Sequence, residues 1–440
     1  MIWQPERAEG DGFAPLERFV EGRDWCFYDV SRLISHRDRA HPTGIDRIDF
    51  EYFARLDASM GDRCVAVARI EDGFSLLRPV EKAALLGAMR DRWFAGADKT
   101  PDPRSRQLEN WGLAPGKWRY DTPTTFPGQQ IDYLRWLRAA TRIHIASLGR
   151  KAARRGHDRR FLESVRSSDT VYITCSHFGL ARGKTALERL IDLSSAEPLA
   201  YVHDIIPIRR PEYQRPESGP ELAVFLKRLA GLGAAFLCNS AATRADFTAW
   251  LRAEGYGNDT HVAYPPLDYL RDIPDALAAP PRRDARPYFL CVGTIEPRKN
   301  HNLLFDLWRE LAAELGARTP TLTLAGSYGW MFDGLKREIE EAEDLRPHIL
   351  HVRDADDPVL WSLMKHAEAL LFPSHCEGFG LPLIEARSMG VSSIVSDIPV
   401  FRELRGDGVK LIPVENRAAW KKEILRALAA ETQRADGRAG

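Results

Sequence analysis

The sequence predicts an α/β protein: its second half is a doubly wound parallel sheet, and its first half is another α/β domain with a large insertion. Three observations carry this reading. Short continuous apolar runs alternate with helical patterns between residues 288 and 397, as expected for strands buried on both faces and joined by crossover helices. Six prolines (Pro265, Pro266, Pro274, Pro280, Pro281 and Pro287) fall in one short stretch, which reads as an interdomain linker. The length, 440 residues, suits two or three domains of roughly 100–200 residues each.

In chain order, WCFYDVSRLI (25–34), RCVAVARI (63–70), TVYITCS (170–176), PLAYVHDII (198–206) and AAFLCNS (234–240) are the strand candidates of the first domain. Their irregular spacing places the insertion at about 71–165. In the second domain YFLCVGTI (288–295) is a strand. HNLLFDLWRELAAELG (301–316) follows as a helix, with Leu304, Leu307, Leu311 and Leu315 on one face. TLTLAGS (321–327), ILHVRD (349–354), ALLFPS (369–374) and SSIVSD (392–397) continue the strands. MFDGLKREIEEAED, PVLWSLMKHAEA and LPLIEARSMG are the helices between them, the last ended by Gly390. The resulting division is 1–270, a linker over 271–287, a second domain over 288–413, and a C-terminal helix and tail over 414–440.

Composition removes several function classes. The 62 basic and 62 acidic side chains cancel, so no global polyanion argument exists and no nucleic-acid partner is expected. With 44% apolar and 28% charged residues the chain is a folding one. No apolar run approaches the roughly 18 residues of a membrane span. The start, MIWQPERAEGDG, lacks an apolar signal core, so a cytoplasmic location is expected. The six cysteines form no CxxC pair, against a zinc knuckle or disulfide framework and for a reducing compartment.

One segment of the insertion is strongly basic. Between Asp132 and Arg166 lie Arg135, Arg138, Arg142, Arg150, Lys151, Arg154, Arg155, Arg159, Arg160 and Arg166, with Leu134, Leu137, Ile145 and Leu148 at helical spacing. Two readings stand: a helix lying on an anionic membrane surface, or a solvated helix packing its narrow apolar stripe on the domain.

Two motifs carry the chemistry. Gly293-Thr294-Ile295-Glu296-Pro297-Arg298-Lys299-Asn300 ends a strand and precedes a helix. Ligands of open α/β sheets sit at the carboxyl ends of strands, where a glycine admits a ligand to the backbone and Arg and Lys can neutralise a diphosphate. Glu377-Gly378-Phe379-Gly380-Leu381-Pro382-Leu383-Ile384-Glu385 also follows a strand. Its glycines leave N–H groups free to face an anion, and Pro382 suits a helix start. Glu377 on the loop and Glu385 a turn into the helix can point into one cleft, where carboxylates suit hydroxyls of a ribose and a sugar. Cys376, beside Glu377, is given no chemical role.

These motifs, EGFGLPLIE with GTIEPRKN, resemble the retaining GT-B glycosyltransferases of family 4. The likeness extends through Tyr201-Val202-His203-Asp204-Ile205-Ile206-Pro207 and Cys238-Asn239-Ser240-Ala241-Ala242-Thr243-Arg244, and more weakly through Pro42-Thr43-Gly44-Ile45-Asp46-Arg47. Residues 57–170 match nothing in it. The resemblance implies two Rossmann-like domains facing a cleft, a nucleotide-sugar held mainly by the second, no cofactor and no essential metal. It implies that Arg298 and Lys299 bind the donor diphosphate, that Glu385 binds the ribose, and that Glu377 contacts the donor sugar. The Gly378, Phe379, Gly380 and Leu381 backbone, with Gly293, would approach phosphate or sugar. On the same resemblance Gly44 would make room for the diphosphate, His203 would reach the transferred sugar, and Val352 and Arg353 would lie where the family places the base. Asp204 has a second reading as a cap of the following turn. Asp46 and Arg47 have one as a helix-start salt bridge.

The expected activity is transfer of a hexose, with retention, from a GDP- or UDP-sugar to a hydroxyl of a saccharide or lipid-linked acceptor in polysaccharide biosynthesis. The expected location is cytoplasmic, with 132–166 as the peripheral contact at the inner face of the plasma membrane. An inactive sugar-nucleotide scaffold and a non-hydrolysing epimerase are the alternatives on the same fold. A nicotinamide enzyme fails, because no GxGxxG follows a strand; a P-loop enzyme fails for lack of GxxxxGK[ST].

Overall fold

The computed structural model describes residues 13–39, 41–70, 73–94, 154–176, 186–274, 276–278, 286–330, 333–353 and 355–438. The first sheet contains β1 (Trp25–Asp29), β2 (Cys64–Ile70), β3 (Gly73–Leu76), β4 (Thr170–Thr174), β5 (Glu197–Val202), β6 (Ala235–Cys238) and β7 (Thr260–Val262). Its order is β3-β2-β1-β4-β5-β6-β7. All neighbours are parallel except the β2–β3 hairpin. The second sheet contains β8 (Tyr288–Val292), β9 (Thr321–Ala325), β10 (Ile349–Val352), β11 (Leu370–Phe372), β12 (Ser393–Ser396) and β13 (Val409–Ile412). Its order is β10-β9-β8-β11-β12-β13, parallel throughout. These are two Rossmann-like sheets, as the sequence reading expects.

The buried strands explain their own sequences. Every residue of β8 is buried. Tyr288, Leu290 and Val292 enter one core, and Phe289 and Cys291 the other. Alternate side chains of a strand point to opposite faces, so a sheet covered on both sides needs a continuous apolar run. The helix His301–Leu315 covers one face through Leu304, Leu307, Trp308 and Leu311. The Trp308 indole is fully buried and donates to the Pro320 carbonyl at 2.8 Å.

The strand order reverses between β8 and β11, and again between β1 and β4. A crevice forms outside the carboxyl ends of strands at such a reversal. The β8 and β11 ends lead directly into the two motif loops.

The structure departs from the sequence reading in three places. The run 25–34 is not one element: β1 stops at Asp29 and a helix, Ser31–His36, begins at once. SSIVSD is the last strand of the sequence reading, but β13 follows it at the sheet edge. That strand is short and half exposed, so it carries no continuous apolar signature. The edge strands β3 and β7 escape for the same reason. Within and before the proline-rich stretch, Tyr269 lies in the second domain's core, with Leu267, Leu270, Ile273 and Leu277 packed against it.

Of the basic segment, residues 132–153 lie outside the described residues. Residues 154–164 form a helix that packs on the first domain. Leu162 and Val165 enter its core, and Phe161 meets Trp25 edge-on at 5.1 Å. Arg154 pairs with the fully buried Glu81 at 2.6 Å. Among the described residues no helix is long and apolar enough to cross a membrane.

Removing the Trp308 indole deletes a large side chain from the second domain and leaves the Pro320 carbonyl unpaired. Trp308→Ala should destabilise that domain by about 3–5 kcal/mol, read as a loss in denaturant midpoint. A change below about 1 kcal/mol would show that the packing does not hold the domain.

Candidate active site

The site starts from two loops tied together. The His375 N–H donates to the Arg298 carbonyl at 2.8 Å, which joins the loop after β11 to the loop after β8 across the reversal. On this frame Arg298 and Lys299 converge on one carboxylate. Arg298 Nη1 donates to Glu377 Oε2 at 2.6 Å, and Lys299 Nζ to Glu377 Oε1 at 2.7 Å. Ser374 Oγ adds a third bond to Oε1 at 2.7 Å. Arg298 Nε meets Glu296 Oε1 at 2.5 Å, and Glu296 Oε2 accepts from Trp330 Nε1 at 2.9 Å. Lys299 Nζ also lies 4.6 Å from the Phe372 ring centre, and its stem runs beside Gly293, where a side chain would crowd it.

Burial alone would push Glu377 up, but Arg298 and then Lys299 outweigh it and hold the carboxyl at about 2. Burial likewise opposes the Arg298 charge, and Glu377, Glu296 and Asp204 outweigh it, raising its proton affinity. The Cys376 thiol is pushed up by burial to about 12, so it stays protonated and is no nucleophile.

The glycine loop meets the first domain. A Cβ on Gly378 would fall 2.2 Å from the His203 carbonyl oxygen. The Gly378 carbonyl accepts from Ser240 Oγ at 2.8 Å and Thr243 Oγ1 at 3.1 Å. Both hydroxyls come from the start of the helix Ala241–Ala253, where Ser240 is the N-cap. Glu403 of the second domain accepts from the Ala241 and Ala242 N–H groups at 2.8 and 3.0 Å and from the Tyr264 hydroxyl at 2.8 Å. Gly380, with φ of 105°, turns the chain into the helix Leu381–Ser388. A Cβ there would also strike Phe401.

The two domains thus bring most of the sequence candidates together. His203 is buried beside Gly378, and its Nε2 donates to the Cys175 carbonyl at 2.7 Å. Asp204 caps the following turn through the Ile206 N–H at 2.9 Å, and its charge also acts on Arg298. Phe379 puts its ring into the second core. Leu381 packs against both domains' cores, and a Cβ on Gly44 would meet its Cδ1 at 3.0 Å. Glu385 is buried, which raises its pKa against the pull of Arg47, and it accepts from the Tyr269 hydroxyl at 2.8 Å. Val352 ends β10 at the sheet edge. Arg353 is not drawn to the cluster: it pairs with Glu340 and lies over Tyr328.

Four contributors were missed in the sequence: Tyr269, Asp357, Glu403 and Trp330. All act through partners distant in the chain. Asp357 had a weak signal, the Asp-Asp-Pro start of a helix. The second reading of Arg47, as part of a helix-start salt bridge, does not hold: it pairs with Asp357 of the other domain at 2.8 Å.

Residues 272–438 match the family described as Glycosyl transferases group 1. The matched stretch takes in the second domain and the C-terminal helix. The chain is 33% identical over 218 residues to the serotype-specific mannosyltransferase WbdA of Escherichia coli, covering 46% of this chain and 26% of that protein. It is 35% identical over 143 residues to the O-antigen chain mannosyltransferase B of Escherichia coli, covering 32% and 36%. The chain therefore spans about a quarter of the WbdA length. The crystal structure of TarM aligns with a TM-score of 0.45 at 13% identity over 62% of this chain and 51% of that one. The matched stretch contains every cluster residue from Glu296 to Glu385.

The Glu377 carboxylate sets a pH signature. Its folded pKa lies below the ordinary value near 4.3. Its stabilising contribution is therefore complete above about pH 4.3 and lost as pH falls toward 2. Glu377→Gln should melt lower than wild type at pH 7, and its melting temperature should fall less steeply between pH 4.5 and 3. Parallel pH profiles would show that the carboxylate is not held by the two cations.

Proposed function

We propose that the protein is a retaining, metal-independent glycosyltransferase of family 4. It transfers a hexose from a GDP- or UDP-sugar to a hydroxyl of a saccharide or lipid-linked acceptor. The observation that supports this best is the pairing of Arg298 and Lys299 on Glu377 at the strand-order reversal of the second domain. The mannosyltransferase names of the relatives favour mannose as the transferred sugar.

In this reading the donor diphosphate lies against Arg298 and Lys299. Charge accumulates on the leaving phosphate as the glycosidic bond breaks. Cations already fixed in place stabilise that charge without reorganising, and a guanidinium offers a paired-donor face to phosphate. Glu377, kept ionised, accepts from sugar hydroxyls while it orients both cations. Glu385, fixed by Tyr269, accepts from the ribose. Val352 and Arg353 border the base, and His203 faces the transferred sugar. The acceptor hydroxyl attacks the anomeric carbon from the face the diphosphate leaves, and its proton passes to a diphosphate oxygen.

The test is a thermal-shift panel of GDP-, UDP-, ADP- and dTDP-sugars without added metal, followed by transfer assays with NMR of the product anomer. A ligand at ~100 times its Kd stabilises the folded state by about 2.7 kcal/mol. Glu385→Ala should abolish the shift, and Lys299→Ala should lower turnover about 10²–10³-fold, roughly 2–4 kcal/mol. Wild-type behaviour of both variants would refute the assignment. An inverted product would refute retention.

The location proposed is cytoplasmic, with contact to an anionic membrane surface through residues 132–153 of the basic segment 132–166, part of the remainder being packed on the first domain. The support is its arginine content together with Leu134, Leu137, Ile145 and Leu148 at helical spacing. Flotation with anionic liposomes should fail when those arginines are replaced by glutamine. Equal flotation of both forms would sink the contact.

A further inference from the structure

Arg47 sits in the first turn of the helix Gly44–Met60, where the helix dipole favours an acid over a cation. It is only 7% exposed. Its Nη2 lies 2.9 and 2.8 Å from the two carboxylate oxygens of Asp357, the first residue of the helix Asp357–Lys365 in the other domain. Its guanidinium carbon stands 4.3 Å from the Tyr269 ring centre and 5.3 Å from that of Phe94. Tyr269 in turn holds Glu385, whose charge also acts on Arg47. The other terminal nitrogen, Nη1, is buried and has no hydrogen-bond partner among the described residues. A buried guanidinium donor without an acceptor is costly. It is also the one arrangement that an arriving oxygen would repair.

We propose that Arg47 is a donor-binding residue supplied by the first domain, with Nη1 donating to a ribose or phosphate oxygen of a nucleoside diphosphate. Asp357 and Tyr269 are the positioning residues that hold the guanidinium for it. The inference rests on Glu385 as the ribose residue. It goes beyond that reading by giving the first domain a direct contact with the nucleotide, so that donor occupancy ties the two domains together. The neighbouring charges are accounted for: Asp357 is paired with Nη2, and Glu385 is bonded to Tyr269.

The test is calorimetric titration of the full chain with GDP and with UDP, alongside melting curves. The variants are Arg47→Met, Arg47→Lys, Asp357→Asn and Glu385→Gln. Arg47→Met should weaken the nucleotide that binds by 30-fold or more. Arg47→Lys, which keeps the charge and the fold, should weaken it at least tenfold, because one ammonium cannot reproduce the paired-donor geometry. Asp357→Asn should cost less than fivefold, since Tyr269 still holds the ring-stacked guanidinium. A plain interdomain salt bridge predicts otherwise: Arg47→Met and Asp357→Asn would melt equally low, and every Kd except that of Glu385→Gln would stay within threefold of wild type. That result overturns the role of Arg47 and leaves the site intact. Failure of wild type to bind either nucleotide overturns the inference together with the site reading beneath it.

Discussion

The close approach of Gly378 to the first domain is the contact on which the rest of the cleft depends. A Cβ at this position would stand 2.2 Å from the His203 carbonyl oxygen, well inside contact distance, so only a residue without a side chain fits. The same approach puts the Gly378 carbonyl within reach of Ser240 and Thr243. Those hydroxyls then satisfy a backbone acceptor that would otherwise be buried without a partner. Glu403 completes the joint from the other side, as an acid at the exposed N–H groups of a helix start. One glycine thereby fixes the spacing between His203 and Glu377.

That spacing explains the charge pattern behind the loop. Arg298 and Lys299 face Glu377 and Glu296 in a partly dry site. Buried charges are tolerated when paired and hydrogen-bonded, and here two cations meet two carboxylates. The cations are therefore oriented before any anion arrives. Preorganised charge of this kind need not be rearranged during a reaction. The arrangement also explains the burial of Glu377: its carboxylate is the common anchor of both cations, with Ser374 as its third donor.

The second sheet was readable because its central strands are buried on both faces and so are written as continuous apolar runs. The edge strands β3, β7 and β13 were not, since a half-exposed short strand has no distinctive composition. The site divided along the same line. Glu377, Arg298 and Lys299 lie on loops that strand ends must place at the sheet's reversal, so local sequence sufficed to bring them together. Tyr269, Asp357 and Glu403 owe their positions to tertiary packing between segments far apart in the chain. Arg47 did leave a trace, as a cation in the first turn of a helix. Such local conflicts with helix electrostatics mark places where another demand outweighs stability.

Tyr269 shows what that demand is. It belongs to the connection between the sheets, yet its ring is buried in the second core, its hydroxyl holds Glu385, and its face carries Arg47. The connection between the domains and the inner end of the cleft therefore share one side chain. Displacing the ring would move Glu385 in one domain and release Arg47 of the other. The ring thus links Arg47 of the first domain to Glu385 of the second. Through Tyr269 the connection between the sheets is packed directly against the Glu385 and Arg47 pair.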